Sequence, residues 1–106
     1  MGKYLFHGSF TAEGLRGIQK EGGTARVGAV RTLAQSLGGS LDSYYFAFGK
    51  DSYFVTVDLP NDEAAAACAI AVAASGAVSN TTTKLLTPEQ VDAAIKLSPN
   101  YRAPGQ

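Results

Sequence analysis

The sequence is short of the residues that most often announce chemistry: no tryptophan, one cysteine, one histidine and no excess of either charge. A lone Cys68 cannot form an internal disulfide, so no cystine framework holds the fold, and a reducing, cytoplasmic setting is expected. With His7 the only imidazole, no His/Cys cluster is present for a transition metal; no metal is expected and no cofactor is assigned. Nine Lys/Arg against nine Asp/Glu cancel, and the basic residues are scattered from Lys3 to Arg102. Without a phosphate-tracking stripe, nucleic acid is not expected as a partner. The longest apolar run, Ala64 to Ala74, is mostly alanine and falls well short of the roughly 20 residues that span a bilayer. The start, MGKYLFHGSF, lacks the apolar core of a signal peptide, so no membrane association is expected either. The glycines at 14, 17, 22 and 23 lack the Lys-Ser/Thr of a phosphate loop and read as helix breakers.

What the chain does have is a β-hairpin. Ser40 to Pro60, SLDSYYFAFGKDSYFVTVDLP, puts aromatic and β-branched residues on both sides of a short polar turn at Gly49-Lys50-Asp51. Its faces differ: Tyr44, Phe46, Phe48, Tyr53, Val55, Val57 and Leu59 are set against Leu41, Ser43, Tyr45, Ala47, Phe54, Thr56 and Asp58. The first face suits the protein's own helices. The second is too apolar to leave to water, which suggests a partner or ligand.

The remaining segments frame this hairpin. Residues 3–10 alternate as a first strand, and Thr11 can cap a helix broken near Gly22-Gly23. A second helical piece from Thr24 presents Val27, Val30, Leu33, Ala34 and Leu37, with Arg26 off that stripe, and stops at Gly38-Gly39. Pro60-Asn61-Asp62-Glu63 starts an alanine-rich helix ending at Gly76, with Cys68 expected to face the sheet. Residues 77–86 read as an edge strand. Thr87-Pro88-Glu89-Gln90 is a capping box for a short last helix, and residues 98–106 are an irregular tail. The expected fold is α+β: one ferredoxin-like βαββαβ domain over 1–106, with an added C-terminal helix and a four-stranded antiparallel sheet. One face of such a sheet is bare, and a second copy packed on it would make a homodimer.

These residues resemble the GYD domain family of small proteins. The resemblance rests on YLFHGSFT, Glu13-Gly14, Arg26, Leu37-Gly38-Gly39, Gly49 and Pro60-Asn61-Asp62-Glu63-Ala64-Ala65, with Gly76 through Thr83 also similar. It implies the dimeric α/β barrel group, which includes cofactor-free monooxygenases, haem-binding relatives and small stress or regulatory proteins. The chain departs from the family's Gly-x-Tyr-Asp stretch, because Lys50, Asp51 and Ser52 follow Gly49.

Candidate chemistry gathers on the mixed face. His7 and Asp58 could act as an acid/base pair, or His7 as an axial haem ligand. Ser9, Tyr45, Phe54 and Thr56 could line a ligand site beside them. The competing structural assignment makes His7 a half-buried residue bonded to a neighbouring strand or to the dimer mate, Cys68 a small hydrophobe and the aromatic residues core or interface. The leading expectation is a homodimeric small-molecule-binding or regulatory module. A cofactor-independent monooxygenase-like enzyme and a purely structural assembly unit are the alternatives.

Overall fold

The computed structural model describes residues 1–106. Its elements run β1 (Gly2–Gly8), α1 (Ala12–Glu21), α2 (Gly23–Ser36), β2 (Ser40–Phe46), β3 (Tyr53–Leu59), α3 (Asp62–Ala74), β4 (Thr81–Leu85) and α4 (Pro88–Ile95). The strands form one open antiparallel sheet in the order β2-β3-β1-β4, which with four helices makes an α+β fold.

Local chemistry sets most boundaries. The Thr11 hydroxyl accepts from the Gly14 amide at 3.1 Å and starts α1. Gly22, at φ 88°, separates α1 from α2, because a residue with a Cβ rarely takes that conformation. Asn61 Oδ1 accepts from the Ala64 amide at 2.9 Å to start α3. At α4 the capping box is complete: Gln90 N donates to Thr87 Oγ1 at 3.1 Å and Thr87 N donates to Gln90 Oε1 at 2.7 Å.

The core lies between one sheet face and two helices. Tyr4 and Phe6 from β1 and Tyr53, Val55, Val57 and Leu59 from β3 are buried, together with Ala34 of α2 and Ala65 and Cys68 of α3. Small residues on the helices let them lie close to the sheet's large side chains, where burial of each side chain stabilises by about 1.5–3 kcal/mol.

The hairpin differs from the sequence expectation in two ways. A bulge between Leu41 and Ser43 makes Leu41 pair with Val57 and Ser43 with Thr56. It therefore puts Leu41 on the core side, packed against the buried cluster, instead of beside Ser43 and Tyr45. The connection spans residues 47–52 instead of a three-residue turn, and leaves Phe48 fully exposed rather than on the core face. The fourth strand is also shorter than 77–86. Residues ahead of it hold α1 instead, through a Phe10–Val78 bridge and Thr11 N donating to Ala77 O at 2.9 Å. No residue of α4 is buried. The last helix projects from the body, and the molecule measures 58 × 32 × 21 Å. No helix is long and apolar enough to cross a membrane.

Candidate functional site

On the open sheet face, register fixes which side chains are neighbours. His7 of β1 lies opposite Phe54, and Phe54 opposite Tyr45 of β2; one row further along are Leu5, Thr56 and Ser43. Lys3 and Asp58 form the next row. His7 and Asp58 share this face but do not meet, since four strand residues at about 3.3 Å each separate their rows. Asp58 Oδ2 accepts from Lys3 Nζ at 3.2 Å, and the same ammonium lies 3.0 Å from Asp42 Oδ2. Its hydrogen bond with Asp42 raises the Lys3 pKa above the usual lysine value and, in return, lowers that of Asp42. Thr56 Oγ1 donates to Asp42 Oδ2 at 2.8 Å and lies 2.6 Å from Ser43 Oγ.

The partner of His7 is Asp51, with Nδ1 2.9 Å from Oδ2. The 47–52 connection causes this contact. Its Ser52 amide donates to Gly8 O at 2.6 Å, and Ser9 Oγ donates to Lys50 O at 2.5 Å, folding the turn over the end of β1. Ser9 thus anchors the turn and lies beyond the strand. The imidazole also stacks on Phe54, with centroids 5.8 Å apart and planes at 8°. An oriented imidazole against an aromatic ring can exchange a proton, but no nucleophile or second acid joins it.

The opposite face of the sheet holds the cavity. Between β1, β3, α2 and α3 an apolar space of about 30 Å³ is floored by Phe6, Tyr53, Val55 and Val57 and roofed by Val30, Leu33, Cys68 and Val72. It meets a groove of about 230 Å³ between α2 and α3, and Arg26, Val30, Leu33 and Val72 line both. A third hollow of about 160 Å³ beside α1 shares Phe10 and Arg26 with the inner space. Arg26 is the one side chain common to all three. Its Nε is buried without a hydrogen-bond partner, and no carboxylate approaches it to ion-pair distance.

The phenols and the thiol at this pocket are shifted towards their neutral forms. Burial raises the Tyr53 phenol to about 12, with Tyr44 adding to the shift and Arg26 opposing it. Burial also raises Tyr44, again against Arg26. The Cys68 thiol is raised by burial alone, which leaves it protonated and unreactive at neutral pH. Tyr53 Oη donates towards Ser79 O at 2.8 Å and Asn80 Oδ1 at 3.0 Å.

The sequence reading placed the candidate ligand residues on the other face and Arg26 off the inward stripe. A signal for Arg26 was present: it stands four residues before Val30, seven before Leu33 and eleven before Leu37, on one helical stripe. The sequence gives no such signal for the approach of Asp51 to His7, which depends on closure of the turn.

Comparison with known proteins agrees with the pattern of caps and turns. The family model for the GYD domain matches residues 4–95, and the chain belongs to that family. No curated protein and no solved structure matches it.

Proposed function

We propose, with membership of the GYD domain family as the premise, that this chain is a homodimeric small-molecule-binding module. In this reading the open sheet face forms the dimer contact, and the pocket between the sheet and α2/α3 holds the ligand. The observation that carries the ligand half is the continuity of the inner apolar space with the α2/α3 groove around Arg26, whose Nε has no hydrogen-bond partner. The dimer half is supported by the large apolar side chains left exposed on the open sheet face, Tyr45 at 70% and Phe54 at 39%. Tyr45, Phe54 and Leu5 would meet the second copy there, covering His7 and Asp51.

The strand order supports a ferredoxin-like reading, and two sheets face to face would give the dimeric α/β barrel. A buried, unreactive Cys68 suits a reducing cytoplasm. A second reading, a cofactor-independent monooxygenase-like enzyme, is favoured by the His7–Asp51 contact against Phe54, with Asp51 in the partner role first expected of Asp58.

Native mass spectrometry of the freshly purified protein tests the proposal. The expected spectrum is a dimer carrying a non-covalent mass that disappears in Val72→Phe, which plugs the mouth of the pocket. A monomer overturns the dimer, and an adduct retained by Val72→Phe overturns the pocket. A clean dimer favours the structural unit. Turnover lost on His7→Ala with dimer and fold intact moves the assignment to the enzyme.

A further inference from the structure

Arg26 is placed where a protein seldom leaves a cation. Its Nε is buried and unpartnered, its guanidinium has no salt bridge, and the wall it shares with the inner space is almost entirely apolar. The acids nearest in lining, Glu13 and Glu21, belong to the outer hollow beside α1 and do not close on it. By contrast Lys3 and Lys84, the cations of the sheet, have carboxylate partners. The free edge matters chemically. Nε and one terminal nitrogen of a guanidinium are parallel donors, spaced for the two oxygens of a carboxylate. The nearby phenols of Tyr44 and Tyr53 bring no negative charge to compete with an anion. The groove beside the guanidinium, about 230 Å³ and walled by Val30, Leu33 and Val72, has room for a small apolar body and offers no further cation.

We infer that the pocket takes a small carboxylate with an apolar body, its two oxygens on the Nε edge of Arg26 and its body lying in the groove between α2 and α3. This assignment rests on the pocket reading above and adds the chemical class of the ligand. Val30, Leu33 and Val72 line groove and inner space alike, so a body lying in the groove covers the mouth of the inner space and shuts water out of it.

The test is a pair of near-isosteric probes, benzoate and benzyl alcohol, titrated into ¹⁵N-labelled protein while the arginine Nε–H and pocket methyl signals are followed. Benzoate is expected to move the Arg26 Nε–H signal and to bind roughly tenfold or more tightly than benzyl alcohol, as a desolvated charge-assisted contact should. Arg26→Met is expected to abolish that preference. Arg26→Lys, which keeps charge but not the paired donors, is expected to retain only part of it. Equal affinity of the two probes, or an undiminished preference in Arg26→Met, overturns the carboxylate assignment and leaves the pocket standing. Failure of both probes to perturb any pocket signal overturns the pocket reading as well.

Discussion

Tyr53 joins two parts of the fold through one hydroxyl, donating from β3 towards Ser79 O and Asn80 Oδ1 in the segment before β4. Both partners are acceptors, so a phenolate would lose its hydrogen bond and face two oxygens instead. Burial, with Tyr44 adding to it, raises this phenol from 10.0 to about 12. The sign follows directly. Folding favours the neutral form, so this contribution is fully present below about pH 10 and is lost as pH rises through about 12. Tyr53→Phe is expected to cost about 1 kcal/mol at neutral pH. It should also flatten the alkaline fall in urea-unfolding free energy between those pH values, and curves parallel to wild type would overturn the assignment. At this scale the core face was legible, because alternation alone separates Tyr53, Val55, Val57 and Leu59 from Phe54, Thr56 and Asp58. The partner of His7 was not, since Asp51 reaches it only through a turn anchored by Ser52 N donating to Gly8 O and Ser9 Oγ donating to Lys50 O.

Among the elements, α1 shows how one residue type carries opposite meanings within a single helix. The sequence treats Gly14 and Gly17 alike, as weak helix formers. In the fold Gly14 is buried, and a Cβ there would collide with the Ala77 carbonyl, part of the segment that also accepts from the Thr11 amide and hydroxyl. Nothing lies within 4 Å of a Cβ at Gly17. Gly14→Ala gains about 1 kcal/mol of helix propensity but must push α1 off a rigid backbone, an overpacking cost of about 1–3 kcal/mol, so net destabilisation is expected. Gly17→Ala has only the gain and is expected to stabilise by up to about 1 kcal/mol. Thermal melts of the two variants check the pair, and shifts of the same sign contradict the close approach. Caps at Thr11, Asn61 and Thr87 were readable because each bond is local. The bulge at Leu41–Ser43 was not, because it leaves the residue pattern unchanged and alters only which residues sit opposite.

For the whole molecule, the radius of gyration of 17.0 Å exceeds the roughly 13 Å of a compact domain of this length, and the projecting C-terminal end accounts for the elongation. Leu86, Val91, Ile95, Leu97 and Tyr101 are all exposed there. A capped helix of eight residues gains too few internal bonds to hold its shape in water without a surface to lie on. In the proposed dimer the second copy supplies that surface, and the apolar side of α4 and the open sheet face are covered in one symmetric step. A chain ending at Leu86 separates the roles of arm and body. Because the arm buries nothing in its own body, truncation is expected to change the unfolding free energy of the isolated body by no more than about 0.5 kcal/mol. Dimerisation, measured by sedimentation across a concentration series, is expected to weaken by roughly tenfold or more through lost apolar burial. A destabilised body would mean that the arm folds back on its own chain. An unchanged dimer would leave the sheet faces as the whole interface and α4 without a part in it.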